Sequence, residues 1–394
     1  MRNLKSLLAV STVLLTANFG LAQTWTQTGA PNKNWSSVAS SADGSKLVAV
    51  ANFGGTTVYT STNLGVTWVS NNVPNSGWQS VASSADGTKL VIVANAAGLP
   101  TIYTSTNSGA NWTSTAAPIK SWSSVASSAD GSKLVAANHL DASSGGSIYT
   151  STNSGASWIS NNAPNKSWIA VASSADGGTL VAASGAAIYT SSDSGTTWTS
   201  NNVNAPFPNW SSIAASTDGG LLAAVIGGNG NGGNIYLSTN SGVTWTSNNT
   251  PRQVWTAIAC SSDGSKLIAA ANNNGTIYTS NDSGLIWVSN NVPKLLWRSV
   301  ASSADGNILI AAAQNGGIWT SQTAPTPSMK IKPTTGNLTL SWIVPSTNLV
   351  LQQSADLSGW TNVTNLPVLN LTNLQNEVIL SPTGSSGFYR LKTP

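Results

Sequence analysis

The sequence predicts an all-β fold, a seven-bladed β-propeller of four-stranded blades closed by its N-terminal strand and followed by a small β-sandwich-like domain. Three observations predict it. Trp35, Trp78, Trp122, Trp168, Trp210, Trp255 and Trp297 open near-identical phrases spaced 42 to 46 residues apart, a period that suits propeller blades. Each phrase divides into four short runs with strand character. The last phrase lacks its fourth run, and a matching run stands alone before the first, around Trp25.

Taken in order, residues 1–22 read as a secretory signal peptide: basic Arg2 and Lys5, an apolar stretch from Leu7 to Leu15, and the small-x-small site Gly20-Leu21-Ala22. This predicts export, with cleavage near Ala22 and a mature start at Gln23. The stretch is too short to span a bilayer, and no later one is longer. Within the first repeat, WSSVASS is small and apolar, and LVAVAN is a continuous apolar run suited to a strand buried on both faces. TVYTST alternates, VTWVSNN follows as the fourth strand, and an Asp-Gly turn joins the first two strands. The run around Trp25 therefore completes the last blade, which a linear solenoid would not require. Residues 23–322 form the propeller, 323–328 a Pro-rich linker, and 329–394 a separate β-rich module.

Between the third and fourth strands six turns fit S-x-[DN]-x-G-x-x-W: Ser61 to Trp68, Ser105 to Trp112, Ser151 to Trp158, Ser191 to Trp198, Ser238 to Trp245 and Ser280 to Trp287. The pattern resembles the Asp-box, or BNR, repeat of sialidases, sortilin-like receptors and photosystem assembly-factor propellers. Asp193 and Asp282 keep the family acid, while Asn63, Asn107, Asn153 and Asn240 replace it. The resemblance implies a structural turn on the face away from any active site, and no reaction by itself. Asp or Asn caps the turn, Gly takes the positive φ and Trp packs between blades. The C-terminal module is more loosely similar to fibronectin type III-like or other small β-sandwich ends of secreted bacterial proteins.

Composition narrows function. Only 7% of residues are charged, and the net charge of +4 is too small for a polyelectrolyte binder of nucleic acid. The single cysteine, Cys260, excludes an intrachain disulfide framework and any Cys-based zinc cluster, and reads as a small core residue. Resemblance to sialidases would imply an arginine triad and a Tyr–Glu nucleophile pair. The propeller has only Arg252 and Arg298 and no glutamate, since Glu377 lies beyond it, so that mechanism is excluded. A two-carboxylate glycosidase site is also disfavoured: Asp43, Asp86, Asp130, Asp176, Asp218, Asp263 and Asp305 belong to turns, Asp193 and Asp282 to Asp-boxes, and only Asp141 is unassigned. The Gly-Asn run from Gly227 to Asn234 has no carboxylates for calcium and reads as a loop. No cofactor or metal is implied.

Alternating strand direction puts the inter-blade linkers and the second-to-third-strand loops on one face. Those linkers carry Lys33, Lys120, Lys166, Arg252 and Lys294, against Asp141 alone. The opposite face has nine aspartates against Lys46, Lys89, Lys133 and Lys266. In the fold family, ligands usually meet the inter-blade face, so this ring of bases is the candidate anion site. The bland alternative is that these bases only solvate exposed linkers. One loop departs from repetition, Asn138-His139-Leu140-Asp141, where His139 as base would suit a polysaccharide lyase. The reading is a secreted, monomeric, non-catalytic propeller that binds an extracellular glycan or protein. The competing readings are a lyase or glycosidase-like enzyme near His139 and Asp141, or a structural spacer.

Overall fold

Small side chains decide which strand of each repeat sits innermost. The first strands are Trp35–Ser40, Trp78–Ser83, Trp122–Ser127, Trp168–Ser173, Trp210–Ala215, Trp255–Cys260 and Leu296–Ser302. In the computed structural model consecutive first strands touch all round the ring, the last meeting the first, a crowding that Ser, Ala and Val tolerate. The described residues are 23–392 without 53–56, 75–76, 96–100, 140–144, 207, 228–231, 249, 273–274, 324–328, 335–336, 344–348, 356–358, 372–374 and 382–387. The expected signal peptide, most of the expected linker, Asp141 and half of the Gly-Asn run thus lie outside them.

Each blade is a four-stranded antiparallel sheet, and six of the seven run in sequence order, as in Trp35–Ser40, Leu47–Ala51, Val58–Ser61 and Val69–Ser70 of the first. The second strand is buried along its whole length, as its unbroken apolar run predicts. Its residues alternate between neighbours: Leu47, Ala49 and Ala51 pack towards the last blade, and Val48 and Val50 towards the second. Seven such clusters join the blades pairwise, each holding one buried opening Trp. At the closing interface Trp35 and Val38 meet Ile308, Ile310 and Ile318. In six blades a Tyr of the third strand meets the opening Trp edge-on at 5.2–5.6 Å. The fourth strand is shorter than its sequence run. Only Val69 and Ser70 pair with Thr60 and Tyr59, because Trp68 is spent ending the turn before it. Such short outer strands offer little edge for another chain to pair with.

Closure is by strand and by hydrogen bond. Trp25–Gln27 pairs with Ile318–Gln322 and completes the seventh sheet, with Trp25 opposite Ser321. Beneath the first strands, backbone amides link blade to blade: Ala42 donates to Ala85, Ala85 to Ala129, Ala129 to Ala175, Ala175 to Thr217, Thr217 to Ser262, Ser262 to Ala304, and Ala304 back to Ala42, all at 2.7–2.8 Å. This circle fixes the blade number at seven. It surrounds a cavity of about 170 Å³ lined by Ser, Ala, Thr217 and Cys260. Burial pushes the Cys260 thiol up to about 12, with Asp263 and Asp218 adding to the effect, so it stays protonated.

Beyond the linker, Lys330–Thr334, Asn337–Ile343, Gln375–Leu380 and Val368–Asn370 form one sheet, and Thr361–Asn362, Val350–Ser354 and Phe388–Lys392 another. The two share a core of Leu340, Trp342, Leu351, Val378 and Leu380. Leu369 of this module packs against the alanines of the propeller's hydrogen-bonded circle. The structure has no helix long and apolar enough to cross a membrane among the described residues.

Candidate ligand-binding face

The acid-rich face is built from two repeated turns. In the Asp-Gly turn a serine two residues before each Asp donates to its carboxylate, at 2.6 Å for Ser128 and Asp130. The same hydroxyl accepts from the amide of Lys133. Burial opposes ionisation of Asp130, but hydrogen bonds from Ser128 and Ser132 and the nearby Lys89 outweigh it and bring its carboxyl to about 2. Asp86 and Asp263 are lowered by the same balance, and Asp176 and Asp218 chiefly by the Ser174 and Ser216 hydroxyls. The lysines of this face are not free ligands. Gly131 has φ +67°, and a Cβ there would lie 2.8 Å from Cβ and Cδ of Lys89 in the previous blade; Gly87, Gly177 and Gly306 meet Lys46, Lys133 and Lys266 likewise.

In the S-x-[DN]-x-G-x-x-W turns, Ser191 donates to Asp193 at 2.8 Å and accepts from Gly195 at 2.9 Å, and Asp193 also accepts from the Thr197 amide. The positive φ falls on two residues, not only on Gly: Leu64, Ser108, Ser154, Ser194, Ser241 and Ser283 precede the glycines at φ 55–61°. Asn serves as well as Asp because the turn needs one acceptor oxygen. The other atom adapts: Asn63 Nδ2 donates to Thr67 Oγ1 at 2.9 Å, whereas Asp193 Oδ2 accepts from Thr197 Oγ1 at 2.6 Å.

The opposite face is irregular. Each inter-blade linker lies against the second-to-third-strand loop of the blade before it. Lys33 bridges Gly316, Ser121 bridges Asn95, and Gln253 bridges Gly233. The opening Trp ties into the same contact, as Trp122 Nε1 donates to Thr101 Oγ1 at 2.8 Å and Trp255 Nε1 to the Gly233 carbonyl at 2.9 Å. These contacts bring the linker bases to one face. Lys33 is half-buried over the Tyr59 ring at 5.7 Å, and Lys120 is half-buried. Lys166 is exposed, Arg252 donates to the Gly232 carbonyl at 3.0 Å, and Lys294 donates to Thr276 Oγ1 at 3.3 Å. Going round the ring, bases enter blades 1, 3, 4, 6 and 7, so the distribution is a long arc and a shorter pair.

His139 joins the shorter pair. Its amide donates to the Ser121 carbonyl beside Lys120, and its Nδ1 lies 3.4 Å from Ser167 Oγ beside Lys166. Burial lowers its pKa, so the ring is neutral at pH 7. Asp141 lies outside the described residues, so its proximity to His139 stays an expectation. No group of three or more His, Cys, Asp or Glu capable of holding a metal occurs among the described residues. Arg298, which belongs to neither charge tally of the two faces, is exposed and donates from Nε to Gln314 Oε1 at 2.7 Å. Gln314 immediately precedes the loop that bridges Lys33, so Arg298 belongs to the long arc. Its partner is sixteen residues away across a strand pair, which spacing alone did not reveal.

No family model and no curated protein matches the sequence. Among solved structures, the chain is similar to YCF48 bound to a D1 peptide, with TM-score 0.57, 17% identity, 77% of this chain and 98% of that one covered. It is also similar to the GH74 xyloglucanase of Xanthomonas campestris, with TM-score 0.59, 14% identity and 88% of this chain covered. The chain spans 57% of that enzyme's length. Likeness at these identities shows the fold alone: this is a β-propeller protein.

Proposed function

We propose that the chain is an exported, non-catalytic Asp-box propeller that binds an acidic extracellular glycan or protein surface through its inter-blade face. The carrying observation is the contrast in charge use: the acids and lysines of the turn face serve the scaffold, while Lys33, Lys120, Lys166, Arg252 and Lys294 converge on the irregular face. A neutral neighbour such as His139 does not add to that charge. The peptide-bound neighbour supports a protein ligand for this fold and the xyloglucanase a glycan one, so both probes are needed. The test is a glycan array, with acidic peptides alongside, at low and high salt. Salt-sensitive binding of an anion, lost in the Lys33, Lys120, Lys166 and Lys294 alanine variant, is expected. Absence of salt-sensitive binding to any anion removes the reading. Turnover of an acidic polysaccharide that His139→Ala abolishes would establish the lyase instead.

A further inference from the structure

The first strand of every blade is interrupted by a β-bulge directly after its opening Trp. In the seventh blade the register shifts between Trp297 and Ser299, which makes Arg298 the bulged residue. A bulge re-aims the extra side chain out of the ladder. In four blades that side chain is a hydroxyl that staples the ring: Ser36 donates to the Trp78 carbonyl at 2.7 Å, Ser123 to Trp168 at 2.8 Å, Ser211 to Trp255 at 2.8 Å and Thr256 to Trp297 at 2.9 Å. Arg298 has no hydroxyl for this bond. At the closing seam the repeat has given up a staple and gained an exposed guanidinium.

That guanidinium is held in place. Nε and Nη2 both donate to Gln314 Oε1, which fixes the plane and leaves the Nη1–Nη2 edge directed away from Gln314. Two residues beyond Gln314, Gly316 exchanges backbone hydrogen bonds with Lys33, at 3.0 and 3.2 Å. Arg252, Lys294, Arg298 and Lys33 thus follow one another along the linkers and first strands of blades 6, 7 and 1. No carboxylate of the described residues lies on this face: the described aspartates belong to the turn face, and Glu377 to the C-terminal module. A fixed guanidinium edge matches a planar carboxylate through two parallel hydrogen bonds, which an ammonium cannot copy. Bases spread along an arc suit a chain with a carboxylate on each unit better than a single charged point.

Resting on the anion-binding reading above, we propose that Arg298, positioned by Gln314, is a carboxylate-reading residue for a polyuronate chain laid across blades 6, 7 and 1. The probe is hexagalacturonate, titrated calorimetrically into the full mature chain, with its methyl ester, dextran sulfate and poly-glutamate as controls. Arg298→Lys keeps the charge and is expected to weaken hexagalacturonate about tenfold or more while changing dextran sulfate less than about twofold. Gln314→Ala, which frees the guanidinium, is expected to weaken hexagalacturonate about threefold through lost preorganisation. Arg298 is exposed, so both variants are expected to melt with the native protein. Equal binding of the methyl ester, or native affinity in Arg298→Lys, overturns the proposal. Equal, Arg298-dependent binding of poly-glutamate overturns the glycan in favour of an acidic protein. If the four-lysine variant loses dextran sulfate while Arg298→Lys loses nothing, the basic face stands and the carboxylate reader falls.

Discussion

On the turn face, Asp130 is held by two serine hydroxyls and a backbone amide, and Lys89 lies against Gly131 of the next blade. On the inter-blade face, Lys166 and Arg298 stand exposed, and no charged position there repeats in all seven blades as Asp does opposite, although a Pro precedes every opening Trp by four residues. The difference teaches how a repeat protein divides its work. Charges that recur with the repeat are parts of the fold, because each blade needs the same turn. Charges that break the repeat are not demanded by the turn that every blade shares.

The sharpest way to break this comparison is to substitute a turn glycine. Gly131→Ala is expected to cost about 2–3 kcal/mol, since an L residue at its φ of +67° costs about 1–2 kcal/mol and the new Cβ would meet Lys89 at 2.8 Å. Denaturant melts measure the loss, and anion binding by the folded fraction should be unchanged. A binding defect at native stability would mean that the turn face also carries the ligand. Next in size is Ser191→Ala, which removes the acceptor for the Gly195 amide and a donor to Asp193 and is expected to cost about 1–2 kcal/mol. Alanine at Lys166, by contrast, is expected to leave stability within about 0.5 kcal/mol and to weaken anion binding.

Acid should separate the faces too. The carboxyls of Asp86, Asp130, Asp176, Asp193, Asp218 and Asp263 are lower in the fold than their ordinary value of 3.8. A depressed acid stabilises the fold above its unfolded value and ceases to do so as pH falls through the folded one. Stability is therefore expected to decline from about pH 4 towards pH 2, where Asp130 and Asp193 titrate. His139 has the same sign at higher pH: its lowered value makes folding prefer the neutral ring, so a smaller loss begins as pH falls below 6.5. Thermal melts across pH 2–8 read both, and His139→Ala should remove only the upper one.

Seven blades, the closing strand at Trp25 and the doubly buried second strand were legible because each is written in periodicity, and periodicity survives without coordinates. The bulge after each opening Trp was not. Ser36 and Arg298 occupy equivalent places, but the carbonyl that Ser36 reaches belongs to Trp78, 42 residues on, and only the folded interface pairs them. The same holds for Lys89 and Gly131, whose contact crosses the interface between adjacent blades and turns an apparent surface charge into a packed side chain. The shortness of the fourth strand also escaped, since Trp68 has strand character yet its indole Nε1 donates to the Gly65 carbonyl and closes the turn. The linker bases were assigned a face by strand direction alone, whereas the arc through Arg298 needed the Gln314 side chain.

The smallest effect tests the distinction most finely. If the acids of the turn face are scaffold, their charge should be dispensable where a neutral amide reproduces the hydrogen bonds. Four of the six S-x-[DN]-x-G-x-x-W turns already carry Asn. In Asn63 the amide nitrogen donates to the Thr67 hydroxyl, and in Asp193 the carboxylate accepts from the Thr197 hydroxyl. The hydroxyl rotor reverses its role, and the amide of residue 67 or 197 keeps the same 2.9 Å bond to Oδ1. Asp193→Asn is accordingly expected to leave neutral-pH stability nearly unchanged and to remove part of the loss between pH 4 and 2, as read by thermal melts across that range. Asp193→Ala, which removes the acceptor altogether, is expected to lower the melting temperature more than Asp193→Asn does. Equal losses in the two variants would show that the charge itself matters there, and would make the acidic face a candidate for binding in its own right.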